Sequence, residues 1–404
     1  MVEGRLKRSS LGARIYPPEQ VHAALVPESS RHCSLIPSVC RYSLQDHQPG
    51  RLKENAMKPT LIITGSSGLI GRRLVEMLSN QYDILGLDIA RRGSNKCRHI
   101  RIDLGDSDSI EMFFASLDRP IAGLINLASY YDFDNTDSVH YHRMIEASPH
   151  LLLGFLEHRD SASAPFIQAG SLASLQYPSG GEKLTPDSTR SDGPWVYARF
   201  KNECLDHLIK IAGEENIVEL ILAGVYSKYC QLPPVFHLIE MHRTKQLGHR
   251  IFAGDINGGL CYVHLDDACQ AFKAALENNV PGGSYLVGEP EKITHKEMFR
   301  ILEAYIEGSS DKIQIPLLLG KIGLKITNIF KRKFFQPWML DYADAKFDLD
   351  ISKTETVLGW VPRHRIADEM PKIIEYAISE TDNWILINKM NRWHSRHWRR
   401  TYGH

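Results

Sequence analysis

From Thr60 onward, short apolar runs alternate with longer segments whose apolar residues recur at helical spacing. Thr60–Thr64 reads as a buried strand, and Leu69–Leu78 as a helix with apolar positions 69, 70, 74 and 78 on one face. Asp83–Leu87, Ala122–Leu127, Phe166–Ala169 and Val218–Leu222 continue the strand series, with a helix over Ser109–Leu117. Strands alternating with helices of this length predict an α/β fold, a doubly wound parallel sheet covered on both faces. After about residue 228 the alternation becomes irregular. A nucleotide-type domain over 57–228, completed by about 259–289, is therefore expected beside a smaller C-terminal α/β region over 229–258 and 290–382. Tyr262–Leu265 and Tyr285–Val287 are expected to join that region to the sheet.

The two ends lack this pattern. Residues 1–56 are rich in Ser, Pro, Arg and His, and are expected to be a disordered extension or the result of a start placed ahead of Met57. A targeting segment is the alternative, but Glu3, Glu19, Glu28, Asp46 and Glu54 argue against a transit peptide. The tail 383–404 carries Trp384, Trp393 and Trp398 among basic residues and no acid. Such a tail is expected to pack its tryptophans on its own domain, with a membrane interface or nucleic acid as the sharper alternatives. Lys321–Lys333 mixes Ile, Leu and Phe with Lys and Arg, which suits a lid helix over the substrate or a membrane-surface helix.

Composition narrows the classes. The 404 residues carry 48 basic and 48 acidic side chains, so no global field steers the chain toward nucleic acid or an anionic membrane. No apolar stretch is long enough for an integral membrane segment. The seven cysteines are scattered and odd in number, which fits a reducing, cytoplasmic setting rather than a disulfide framework. No histidine or cysteine spacing suggests a metal site.

The chemistry begins at Thr64-Gly-Ser-Ser-Gly-Leu-Ile-Gly71, between the first strand and the first helix. Gly65, Gly68 and Gly71 allow a tight turn and close approach of a pyrophosphate to the amides of a helix N-terminus, as in a Rossmann-type βαβ unit. The second strand ends in Asp88, where a carboxylate would bond the adenosine ribose. Asp88 favours NAD by repelling a 2′-phosphate, while Arg91 and Arg92 keep NADP as the alternative. Asp103, past the third strand, is a candidate acceptor for the adenine amino group.

Tyr197 and Lys201 stand four apart on a predicted helix, about one turn from each other on one face. A neighbouring ammonium favours the phenolate form of such a tyrosine, which suits proton exchange with a hydroxyl. Ser171, just past the fifth strand, can donate to a substrate oxygen, with Ser174 as the competing choice.

Taken together, these segments resemble the extended short-chain dehydrogenase/reductase superfamily, in its NAD-dependent epimerase/dehydratase branch. The similarity runs from about Lys58 to Asn383 and includes Thr64–Gly71, Asp88, Asp103-Leu104, Asn126-Leu127-Ala128-Ser129 and Gly170-Ser171. It continues through Tyr197–Lys201, Ala223–Tyr226, Tyr262–Asp267, Asp350–Lys353 and Leu358–Pro362. The resemblance implies Ser171, Tyr197 and Lys201 as the catalytic set. It implies a dinucleotide held by Gly65, Ser67, Gly68, Leu69, Ile70, Gly71, Asp88, Asp103, Leu104, Leu127, Ala128, Tyr197 and Lys201.

Three positions depart from that pattern. Ile145-Glu-Ala-Ser-Pro149 stands where the family has Asn followed by Gly-Thr, which puts the Asn-supported water relay to the lysine in doubt. Leu260 stands where nucleotide-sugar enzymes carry an arginine for the diphosphate, and Phe200 precedes the lysine. The expected function is NAD(P)-dependent hydride transfer at a secondary alcohol or ketone, with a sugar derivative among the admissible substrates. A homodimer is among the expected assemblies. The competing class is a nonenzymatic NAD(P)-binding regulatory or scaffold protein. Tyr130, Tyr131 and Phe133 either line the substrate pocket or pack their own loop.

Overall fold

The computed structural model describes residues 58–388, apart from 134, 136, 137, 179, 180, 309–311 and 331–333. The expectations for residues 1–56 and for Trp393 and Trp398 lie outside the described residues. The first half runs β1 (Thr60–Thr64), α1 (Leu69–Leu78), β2 (Asp83–Asp88), β3 (Arg98–Arg101), α2 (Ser107–Ala115), β4 (Ile121–Asn126), α3 (Val139–His158), β5 (Phe166–Ser171), α4 (Val196–Ala212) and β6 (Ile217–Leu222). Then follow β7 (Gly224–Tyr226), α5 (Pro233–Arg243), β8 (Ile251–Ala253), β9 (Gly259–Leu260), β10 (Tyr262–His264), α6 (Leu265–Glu277) and β11 (Gly283–Val287). The chain continues through β12 (Ile293–Thr294), α7 (His295–Tyr305), β13 (Ile313–Ile315), α8 (Leu317–Phe330), α9 (Met339–Ala343), α10 (Ser352–Leu358), α11 (Ile366–Ser379) and α12 (Thr381–Ile387).

Seven strands form one parallel sheet in the order β3-β2-β1-β4-β5-β6-β11. Both faces of the central strands are buried, which is why these read as apolar runs, while the edge strand β3 is partly exposed. Leu61 and Ile63 face a core shared with Leu74 and Leu78 of α1 and Phe272 of α6. Ile62, between them, faces the opposite core with Phe113 of α2, Leu151 of α3 and Leu208 of α4. Strand order reverses between β1 and β4, and their carboxyl ends open the crevice where such sheets take ligands.

Tyr285–Val287 lies in β11 of the main sheet as expected, but Tyr262–His264 does not. After Ala223, whose N–H bonds Val287 O, the chain leaves the main sheet. Gly224–Tyr226 then pairs in parallel with Tyr262–His264 as a separate ladder. A further core joins α5, α7, α11 and α12 around Trp384, which is fully buried. Its indole Nε1–H donates to Glu240 Oε1 at 2.8 Å, so this tryptophan packs on its own domain. Two buried carboxylates fix the C-terminal segment. Asp267 accepts from the Arg363 and His364 amides at 2.9 Å, and Glu289 accepts from Ile366 N at the start of α11.

Candidate active site

Gly65 closes β1 with φ +65°, a conformation that favours glycine, and its N–H bonds Leu87 O at 2.8 Å. Gly71, on the first turn of α1, packs so tightly that a Cβ there would stand 2.2 Å from Gly65 O. The turn between them therefore wraps the N-terminus of α1, where Gly68 is the capping position. The first turn, with Leu69, Ile70 and Gly71, carries no acidic residue and no side-chain cap. Its amides and dipole are arranged for an anion such as a pyrophosphate. Asp88, at the end of β2, is held by two backbone amides: Ser67 N on one oxygen and Ala90 N on the other, each at 2.8 Å. That clamp ties the end of β2 to the glycine turn.

Beneath the turn lies a buried polar chain. Thr64 Oγ1 donates to Asn126 Oδ1 at 2.6 Å and accepts from the Leu127 and Ala128 amides at 3.0 Å. Asn126 Nδ2 donates to Gln168 Oε1 at 2.8 Å, linking β1, β4 and β5 at their carboxyl ends. Leu127 and Ala128 are thereby fixed beside Gly65. Asp103 is also engaged, accepting from Arg143 and from Gly105 N at 2.9 Å.

Tyr197 and Lys201 both lie on the buried face of α4. Lys201 Nζ donates to Ala169 O of β5 at 2.9 Å and stands 5.6 Å from the centre of the Tyr197 ring. Ser171 ends β5 half-buried, its Oγ accepting from Ala173 N at 3.3 Å. The competing Ser174 is fully buried, and its hydroxyl donates to Ser171 O at 2.7 Å. Ser174 is thus committed to the local turn.

Beside Lys201 is a small cavity of about 20 Å³, lined among others by Leu104, Asn126, Ala128, Ser148, Gln168 and Cys204. A volume of that size with several polar walls suits one water molecule. Ser148 belongs to the segment that lacks the family's Asn. Pro149 removes the helical N–H that would bond Ile145 O, and Ser148 Oγ donates to that carbonyl at 2.9 Å instead. Cys204, across the cavity, is driven up to about 12 by burial, so its thiol stays neutral.

The surroundings of Tyr197 are aromatic. Trp195 lies 4.6 Å from its ring and Tyr131 meets it edge-on at 5.2 Å. Phe133 and Trp338 stack on Trp195 at 5.2 and 5.1 Å, and Phe334 meets Phe133 at 5.1 Å. Tyr130 packs on Tyr141 at 4.7 Å, and Phe200 packs between Tyr141 and Tyr197. Leu260 pairs with Ile293 in an apolar ladder, so no guanidinium occupies that position. Trp195, Phe334 and Trp338 belong to this aromatic group and were not singled out from the sequence. Their signal was composition alone, since the last two lie far along the chain.

Two further side chains brace the loop that delivers Tyr197. Arg190 pairs with Glu219, buried in β6, and also bonds Ser284 Oγ at 3.1 Å. Asn202 Nδ2 donates to Ser191 O at 2.9 Å and to Ser174 O at 3.2 Å. Among the described residues, no group of three or more His, Cys, Asp or Glu converges as a metal site, and no helix is long and apolar enough to cross a membrane.

Residues 61–288 match the model of the NAD dependent epimerase/dehydratase family. Vestitone reductase of Medicago sativa is 25% identical over 277 residues, covering 61% of this chain and 81% of that protein. The fold is shared with UDP-glucose 4-epimerase of Thermotoga maritima, at TM-score 0.58 and 18% identity over 80% of this chain and 99% of that one. It is shared also with the dTDP-glucose 4,6-dehydratase DesIV of Streptomyces venezuelae, solved with NAD, at TM-score 0.59 and 19% identity over 80% and 98% of the two chains. The family match and the reductase relative indicate an enzyme, so a purely nonenzymatic role falls away. The chain belongs to the NAD-dependent epimerase/dehydratase family of extended short-chain dehydrogenases/reductases, and is an NAD-dependent enzyme.

Proposed function

We propose that this enzyme interconverts a secondary alcohol and a ketone on a ring substrate held by aromatic faces, rather than on a diphosphate-linked sugar. The observation that carries this is the aromatic tier of Tyr131, Phe133, Trp195 and Trp338 around Tyr197. Aromatic faces favour planar or apolar rings, whereas a diphosphate wants a bidentate cation, and Leu260 offers none. The name of the vestitone-reducing relative agrees with a net reductase. A sugar derivative without a diphosphate stays within this reading, since a sugar ring also has an apolar face.

In this reading Gly65, Ser67, Gly68, Leu69, Ile70 and Gly71 hold the pyrophosphate of NAD, and Asp88 the adenosine ribose. Asp103, Leu104, Leu127 and Ala128 flank the remaining length of the cofactor. NAD, when bound, supplies or accepts the hydride. Tyr197 exchanges the hydroxyl proton, Ser171 donates to the substrate oxygen, and Lys201 bonds the nicotinamide ribose. The buried, unbridged thiols of Cys204, Cys230, Cys261 and Cys269 agree with a cytoplasmic, reducing setting. A homodimer belongs to the same proposal, with Leu153 of α3 and Ile211 of α4 as exposed apolar positions.

The test is nicotinamide absorbance with purified enzyme against a series of cyclic and aryl ketones and a series of UDP- and dTDP-sugars. Turnover with ring ketones is expected. Turnover confined to the nucleotide sugars would overturn the proposal.

A further inference from the structure

Five exposed apolar side chains lie together on α8. Leu318, Leu319, Ile322, Ile326 and Ile329 are 45% to 78% exposed. At helical spacing these five fall within an arc of about 100° on one side. Gly320 occupies the opposite side, packed so closely on β8 that a Cβ there would meet Ala253 Cβ at 2.2 Å. The helix is therefore seated on its domain by one face and presents a continuous apolar stripe on the other. Beside its seat, Ile251 and Ile313 are register partners in the β8–β13 ladder, and both are at least half exposed.

Charge separates the candidate occupants of this stripe. Between Asp311 and Asp341 the sequence carries six basic residues (Lys312, Lys321, Lys325, Lys331, Arg332 and Lys333) and no acidic one, in a chain that is otherwise balanced. Lys321 pairs with Asp341 at the base of the helix, and Lys325 is exposed along the edge of the stripe. A second copy docked through the same face would bring two such basic segments together. The chain's own ends are no better suited. The tail after Asp382 has no acidic residue, and residues 1–57 carry eight basic against five acidic side chains. An anionic lipid surface answers both the apolar stripe and its one-signed border.

We propose that α8 docks this enzyme on anionic lipid bilayers, lying in the interface with Leu318, Leu319, Ile322, Ile326 and Ile329 among the acyl chains and Lys321 and Lys325 at the headgroups. At 14 residues the helix is too short to span, so the association is peripheral. Four residues past its end, Phe334 joins the aromatic tier through Phe133, and Trp338 through Trp195. The docked helix thereby sets the substrate wall beside the lipid, where an apolar ring substrate would be dissolved.

Co-sedimentation of the full chain with sucrose-loaded vesicles tests this without any substrate. Binding is expected to vesicles of phosphatidylcholine with phosphatidylserine, to weaken with added salt, and to be slight with phosphatidylcholine alone. The variant I322S/I326S/I329S is expected to lose at least about tenfold in partition while NADH binding and melting temperature hold. Equal binding by wild type and variant, or no binding of wild type to either vesicle, overturns the proposal. So does a dimer in sedimentation equilibrium that the same three substitutions dissociate.

Discussion

Lys201 donates its ammonium to Ala169 O at 2.9 Å and stands 5.6 Å from the ring centre of Tyr197, one turn back on α4. The lysine is thus fixed by the sheet rather than by the tyrosine, and the tyrosine feels its charge at constant distance. Tyr197→Phe is expected to lower kcat by about 10² to 10⁴ while NADH still binds, because only proton exchange is removed. Lys201→Met is expected to lower kcat comparably and, unlike Tyr197→Phe, to weaken NADH binding, because the same ammonium would bond the nicotinamide ribose. Steady-state kinetics with a ketone substrate and NADH titration check both. A Tyr197→Phe enzyme with unchanged kcat would remove this residue from the mechanism.

The chain Thr64–Asn126–Gln168 leads to a second expectation. Asn126 is buried and joins β1 to β5 through two side-chain bonds. Asn126→Leu leaves Thr64 and Gln168 with lost partners, at a cost of about 1–3 kcal/mol. The cost should reach the cofactor too, since Thr64 also holds the Leu127 and Ala128 amides beside the glycine turn. Denaturant unfolding and NADH titration should therefore both show loss. Intact NADH affinity in a destabilised variant would confine Asn126 to the core.

The parts of this architecture legible in the sequence are those set by local periodicity and short spacing. Leu69–Leu78 reads as a helix from its apolar face alone, and β1, β2, β4, β5 and β6 read as apolar runs because both sheet faces are covered there, whereas the edge strand β3, Arg98–Arg101, carries no such run. The Gly65–Gly71 turn and Asp88 were legible because a fixed loop length separates them. What was not legible depends on long-range closure. Trp338 stacks on Trp195 across 143 positions of chain, and no periodicity encodes that pairing. The choice between Ser171 and Ser174 likewise turned on which hydroxyl the folded turn consumes. Tyr262–His264 has the composition of a sheet strand, but its partner is set by where the chain leaves β6.

Asp88 makes cofactor choice testable. Its two oxygens are oriented by Ser67 N and Ala90 N, so the carboxylate cannot swing aside for a 2′-phosphate. Asp88→Ser removes the repulsion, and Arg91 in the adjoining loop is exposed and close in sequence. The variant is expected to lose about tenfold or more in NAD affinity and to gain NADP binding, a shift of at least about 1.4 kcal/mol in preference. Fluorescence titration with both reduced cofactors measures it. An unchanged preference for NAD would place specificity elsewhere in the loop.

Glu289 connects the fold to pH. Burial raises its carboxyl to about 7, against the bonds from Ile366 N that favour the charged form. Between about 4.5 and about 7 the folded chain therefore keeps a proton that the unfolded chain releases. The stability contributed by this protonated group is complete below the unfolded value and is lost as pH rises through the folded one. Glu289→Gln keeps an acceptor for Ile366 N and cannot ionise. Relative to wild type the variant should gain stability across that window, by about 3 kcal/mol at most. Urea unfolding of the two proteins at about pH 5 and about pH 8 isolates the effect, because every other titrating group is common to both. Parallel pH dependences would mean that Glu289 is ionised in the folded chain throughout, with α11 capped by a charged carboxylate.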